Sequence, residues 1–294
     1  MRKLSEIILI ALLFLAGVIF VSAIYNSFTG KNDSSFSLPA YGDSIGLVEI
    51  EGVILNSEQA VKLISDYLKN GDIKALLVRI NSPGGGVAAS QEIYQSLKNA
   101  RARGLKVVAS MSSVAASGGY YIACAADTIV ANPGTTTGSI GVIMSLLDYS
   151  ELLSKIGVKY NNIKSGKFKD TGDGSRAMTP EERKYLQAFL DDAYAQFVDV
   201  VVDERNLKRV EVLRIADGRI YTGQQALDLG LVDILGSFDD AKQLAATMAD
   251  ITGDPHLVRP QKRRPSLFDL LFNDLGGYVQ SLQNRPILRY QLIL

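Results

Sequence analysis

Twice in this chain a run of apolar residues ends in a glycine-rich turn and reopens as a helix. Ala75–Ile80, interrupted only by Arg79, leads into Asn81-Ser82-Pro83-Gly84-Gly85-Gly86 and then into helical spacing over Gln91–Ala102. Leu105–Ser112 leads into Ala115-Ala116-Ser117-Gly118-Gly119-Tyr120 and an apolar helix. A strand without polar alternation needs cover on both faces, and parallel strands joined by crossover helices provide it. The rest of the chain fits the same α/β frame. Ile45–Ile50 suits a strand, and Ser57–Lys69 places Ala60, Val61, Ile64 and Leu68 on one helix face. Thr128–Ala131 and Ser139–Ile143 read as short strands. Thr179-Pro180-Glu181-Glu182 is a helix start with an N-cap and a capping box, and that helix should run to about Glu204. Thr222–Leu229 and Phe238–Met248 read as the last helices.

Composition removes several classes of function. The 294 residues carry 31 basic and 31 acidic side chains, so there is no basic excess for a nucleic-acid backbone and no nucleic-acid partner is expected. The single cysteine, Cys124, lies in the apolar run Tyr121–Ala126 and reads as a core thiol. The single histidine, His256, follows Asp254-Pro255, outside every regular segment. A site of several histidines is therefore excluded, and a Ser-His-Asp triad would have to draw on a loop residue. Neither a metal nor a cofactor is expected.

Ile7–Tyr25 is an uncharged apolar run whose helix would measure about 28 Å, close to the hydrocarbon core of a bilayer. Arg2 and Lys3 precede it, which predicts a cytoplasmic N-terminus (residues 1–6), a membrane anchor (7–25) and an extracytoplasmic remainder at the plasma membrane. The rival is a cleaved signal peptide ending near Val21-Ser22-Ala23. Residues 26–43 read as a linker, 44–254 as the folded domain and 255–294 as a basic linker with an amphipathic tail. That tail could pack on the domain, touch a membrane surface or dock on a neighbouring subunit.

Three glycine-rich elements invite chemistry. Gly84-Gly85-Gly86 lacks the spacing of a phosphate loop and suits an oxyanion hole instead. Ser117, between a strand and a helix, is placed either as a nucleophile or as an N-cap. Thr135–Val142 is the third such element. A serine nucleophile needs a base, and a desolvated lysine can serve. Lys164, Lys167 and Lys169 are all candidates on spacing.

At these residues the chain resembles the signal peptide peptidase A family in its short, single-repeat form. The resemblance spans about Ser44–Met248. It rests on Asn81–Gly85, Ser117–Tyr121, Thr137–Val142, Ser165–Asp170, Tyr221–Ala226 and Gly230–Asp233. It implies a ClpP/crotonase-like fold of stacked β-β-α units. It implies Ser117 as nucleophile, Lys169 as general base, Ser139 orienting the lysine, and the Gly84 and Gly118 amides as the oxyanion hole. Substrate would run along Gly85, Gly86, Val87 and Gly119 as an extended peptide. The surrounding Ala, Val and Met residues give the expectation of an apolar or small S1 pocket. The family implies a homo-oligomeric ring, an octamer in the short form, acting on remnant signal peptides and other unfolded peptides. The alternatives are a related membrane protease with one membrane-protein substrate, or a crotonase-like acyl-CoA enzyme.

Overall fold

The computed structural model describes residues 42–259 and 289–291. Ile7–Tyr25, most of the 26–43 linker and residues 260–288 lie outside the described residues. Among the described residues no helix is long and apolar enough to cross a membrane.

The elements follow in order: β1 (Ser44–Glu51), α1 (Glu58–Lys69), β2 (Ile73–Ser82), β3 (Gly84–Gly86), α2 (Val87–Ala102), β4 (Lys106–Ala116), α3 (Gly118–Ala123), β5 (Thr128–Ala131) and β6 (Thr136–Gly138). After them come α4 (Ser150–Lys155), α5 (Pro180–Arg205), α6 (Arg209–Ile215), β7 (Ile220–Thr222), α7 (Gly223–Asp228), β8 (Ile234–Leu235), α8 (Phe238–Met248), β9 (His256–Val258) and β10 (Arg289–Gln291).

Among the described residues, β7-β6-β4-β2-β1-β9 form the path of an eight-stranded sheet, with β5 and β8 branching from β4. β1, β2, β4 and β9 are mutually parallel along that path, and β7 alone runs antiparallel to its neighbour. Both faces of the central strands are covered, as their composition demands. Ile45, Leu47, Ala75, Leu77, Val108 and Val130 pack against Ala241, Ala245 and Ala246 of α8, whose small side chains let that helix approach closely. On the opposite face Gly46 lies under the Tyr67 ring of α1, where a Cβ would fall 2.7 Å from the ring. Arg79 interrupts β2 at little cost, because its guanidinium donates to Ser110 Oγ (2.8 Å), the Met111 carbonyl (3.2 Å) and Ser112 Oγ (3.0 Å) and lies over the Phe238 ring.

The helix from Pro180 begins with the capping box read from the sequence, Thr179 Oγ1 accepting from the Glu182 amide. Two readings are corrected. Ser139–Ile143 is not a strand: β6 stops at Gly138 because Ser139 takes a left-handed conformation (φ 51°), which no strand continues through. His256 is not in a loop. It opens β9, parallel to β1, and the Tyr67 hydroxyl pins that strand by donating to the Val258 carbonyl at 2.9 Å. The sheet therefore extends beyond residue 254.

Candidate active site

The site is built where β4 ends. Paired in register, Ala115 lies opposite Thr137 and Ala116 opposite Gly138. One step further along the two strands stand Ser117 and Ser139. Ser117 occupies the junction between β4 and α3 with φ 54° and ψ −116°, a conformation strained for any residue with a Cβ. Three things hold it there. Its amide donates to the Gly138 carbonyl at 2.8 Å, its carbonyl accepts from the Tyr121 amide at 2.8 Å, and the residue is 1% exposed. A strained serine at a strand-to-helix turn, with no helix-capping bond from its side chain, carries its hydroxyl for something other than an N-cap.

The glycine junction faces it. Gly84 (φ +97°) makes the turn from β2 into β3, and its amide donates to Ser82 Oγ at 3.1 Å. The Gly84 carbonyl and the Gly86 amide both bond Ile54, at 2.9 and 2.7 Å. Alternation along a strand then leaves the amide and carbonyl of Gly85 for the opposite side. That side carries β10, antiparallel, with Tyr290 opposite Gly85. Gly118 also closes on this point: a Cβ there would lie 3.0 Å from the Tyr290 carbonyl oxygen and 3.2 Å from the Gly85 amide nitrogen. All three glycines lie against the carbonyl that β10 presents, but the Gly84 amide is taken by Ser82 Oγ, whereas that of Gly85 faces the β10 side. The edge expected to receive an extended peptide is occupied by residues of this chain.

The Tyr290 ring is fully buried, a contact of about 2 kcal/mol by area. Burial pushes its phenol above the ordinary range, so it stays a neutral donor. Burial likewise pushes Tyr121 up to about 12. Tyr94, next to Tyr121, donates to Glu204 at 2.6 Å. Burial pushes the Glu204 carboxyl up, but donors from Lys98, Tyr94 and Arg101 outweigh it and hold the pKa below the usual range.

Lys169 stands apart. It is exposed and lines a cavity of about 580 Å³ with Asn162, Lys164 and Asp173, while Ser139 lines another, with Tyr194, Asp217 and Gln291. Among the described residues no hydrogen bond joins Lys169 to Ser117 or Ser139. The neighbouring lysines are engaged: Lys164 pairs with Asp170 and Lys167 with Glu181. Neither a hydrogen bond nor an ion pair reaches the Lys169 amine among the described residues. Val87 opens α2 behind β3, and Gly119 packs toward the Ser82 carbonyl. Among the described residues no group of three or more His, Cys, Asp or Glu could hold a metal ion. Sequence reasoning missed Tyr94, Phe197 and Tyr290. The signal available for the last was an aromatic within an apolar end, Arg289–Leu294.

Similarity to known proteins accords with this geometry. The model of peptidase family S49 matches residues 99–252, just over half of the chain and the stretch that holds both Ser117 and Lys169. A Clp protease model matches residues 54–136, which include the glycine junction and Ser117. A protein of Synechocystis sp. named as a protease is 49% identical over 213 residues, 71% of this chain and 76% of its own length. Protease 4 of Salmonella typhi is 35% identical over 260 residues, 85% of this chain and 42% of that protein. An Enterococcus faecium protein that bears the name signal peptide peptidase SppA is 44% identical over 169 residues, 58% of this chain and 49% of its own. A strained serine between two glycine turns, on an α/β core with this similarity, makes the chain a serine peptidase that belongs to peptidase family S49.

Proposed function

We propose that the chain is a membrane-anchored endopeptidase that works through a Ser117–Lys169 dyad and an acyl-enzyme, as one member of a homo-oligomeric ring. The observation that carries this reading is Ser117 itself: buried, held at φ 54° and set beside the Gly85 and Gly118 amides. In the reaction the Lys169 amine takes the Ser117 proton as Oγ attacks the scissile carbonyl. The oxyanion is met by the Gly118 and Gly85 amides, Gly85 taking the part first expected of Gly84. Lysine returns the proton to the departing amine, and water then opens the ester. Ser139, across from Ser117 one step past the last paired residues of β4 and β6, orients the lysine.

Lys169 is exposed in the isolated chain, in a stretch that also exposes Leu147, Leu152, Ile156, Tyr160 and Ile163. An apolar surface of that extent calls for a partner. A second copy would cover it and could bring the lysine to a neighbour's serine, which favours a ring, with eight members expected, over a monomer. Remnant signal peptides and other unfolded or membrane-associated peptides are the substrates proposed, with the active domain outside the cytoplasm and residues 7–25 in the plasma membrane. The test is hydrolysis of a signal-peptide-like fluorogenic peptide by wild type, Ser117→Ala and Lys169→Ala. Retention of activity by either variant would remove the dyad.

A further inference from the structure

Two carboxylates with little exposure meet where the segment after α4 joins α5. The side chains of Asp170 and Glu182 are 9% and 4% exposed, in a region whose large apolar residues face outward. One guanidinium holds both. Arg176 donates from Nε and Nη2 to the Asp170 carboxylate at 3.0 and 2.7 Å, and Nη2 also approaches the Asp170 carbonyl at 3.4 Å. Its other edge meets Glu182, with Nη1 donating to Oε2 at 2.9 Å and Nη2 to Oε1. Glu182 is fixed in turn. It accepts the Thr179 amide at 2.9 Å in the first turn of α5, and that helix buries Ala193, Phe197, Val198 and Val201. Asp170 is therefore tied, through two side chains, to a helix seated in the core.

The residue before Asp170 is Lys169, and its backbone is held from both sides. The Lys169 amide donates to the Gly166 carbonyl at 3.2 Å, and Lys164 bridges the Lys167 carbonyl (3.1 Å) and the Asp170 carboxylate. The charged groups that share its cavity are Lys164, Asp170 and Asp173. Lys164 and Asp170 engage each other, and Asp173 accepts from Asn162 (2.7 Å) and the Ser175 amide (2.9 Å). The backbone of Lys169 is thus fixed while its amine is left to reach outward.

We propose that Asp170, Arg176 and Glu182 form a clasp that positions the general base, holding the backbone of Lys169 against α5 so that its amine meets Ser117 in place. The proposal rests on Lys169 being that base, and the three are positioning residues that act through it. The clasp works by shape as well as charge. A guanidinium grips two carboxylates along two edges, which the point-like ammonium of a lysine does not. With the fork removed the charges still balance, but the loop carrying Lys169 slips, and a misplacement of about 1 Å costs about a hundredfold in rate.

The experiment compares the full chain with Arg176→Lys, Lys169→Ala and the double variant. One readout is steady-state hydrolysis of the fluorogenic peptide. The other is labelling of Ser117 by a fluorophosphonate, whose end point counts intact sites and whose rate reports the base. Arg176→Lys should lower kcat about thirtyfold with KM within about twofold, and slow labelling to a similar degree without lowering its end point. The double variant should label no more slowly than Lys169→Ala, since a clasp with no lysine to hold contributes nothing. Wild-type kcat in Arg176→Lys, with Lys169→Ala inactive, overturns the clasp and leaves the dyad standing. An end point that falls as far as the rate, or a double variant slower than Lys169→Ala, also overturns it, because either marks a purely structural role. Full hydrolysis by Lys169→Ala removes the dyad instead, and the clasp with it. Where Arg176→Lys reduces folded protein, Asp170→Asn, of the same size, takes its place in every measurement with the same outcomes.

Discussion

The surroundings of Ser117 and of Lys169 are built on opposite plans. Around Ser117 the neighbours come from this chain's own sheet: the residue is buried, its backbone is bonded on both sides, and two glycine turns close over it. Around Lys169 the chain has little regular structure between α4 and α5, its large apolar side chains face outward, and its order comes from charge pairs such as Arg176 with Asp170 (2.7 Å). The first region is finished on folding. The second is shaped to be finished by something else. The contrast teaches that a serine held in strain needs a packed core behind it, whereas, on the proposed dyad, the base would be completed by a neighbouring copy.

That contrast can be broken in several ways. The largest effect is expected at Ser117. Ser117→Ala should lower peptide hydrolysis at least about a thousandfold. Ser117→Gly should do the same while raising unfolding stability by about 1 kcal/mol, because glycine relieves the strain at φ 54°. A Ser117→Gly protein that melts earlier than wild type would mean the site is not strained. Next is Gly84→Ala, whose Cβ would sit 1.9 Å from the Tyr290 oxygen at a backbone angle of +97°. It should cost about a hundredfold in kcat/KM, as a misplaced cleft edge does. Third, Ser117→Ala and Lys169→Ala subunits, each inactive, should regain about a quarter of wild-type activity when assembled together, if serine and lysine come from adjacent copies of a ring. No recovery would place both in one chain.

Smaller effects sharpen the other side. Ile163→Ser, at a fully exposed position, should leave the melting of the isolated chain within about 0.5 kcal/mol yet shift sedimentation toward smaller species. Last, the Arg176 guanidinium holds the Asp170 and Glu182 carboxyls below their usual range, helped by Lys164 at the first and the Thr179 amide at the second. Depressed carboxylates stabilise the fold above their unfolded pKa, and that stability is lost as pH falls through the lower folded values. The Tm gap between wild type and Arg176→Gln should therefore be open at pH 7 and close as acid protonates both groups below about pH 4. A gap independent of pH would mean that Arg176 acts by packing alone.

Much of the frame was legible because it is local. The strand around Ala75–Ile80, the Thr179 capping box and the helix at Phe238–Met248 each announce themselves within a dozen residues. Ser117 was legible as a serine at a junction, though its strain was not, since nothing in a serine's neighbours declares a positive φ. The left-handed turn at Ser139 hid for the same reason. β9 and β10 were invisible because three residues carry no periodicity, and their partners in β1 and β3 lie far away in sequence. The aromatic cluster around the Tyr290 ring draws on positions 94, 121, 197 and 290, so only folding brings it together. Among the three lysines, spacing could not choose. The pairing of Lys164 and Lys167 with carboxylates separates them from Lys169.

The added strand at Arg289–Gln291 also bears on kinetics. By sequence it is joined to the domain through residues 260–288, so it competes for the cleft as a tethered ligand at an effective concentration in the millimolar range. A free peptide present at micromolar levels must wait for the strand to leave. Short, dilute peptides are then disfavoured relative to peptides held at high local concentration, which can displace it. The strand on β3 thereby acts as a concentration threshold, set by the length of its own tether.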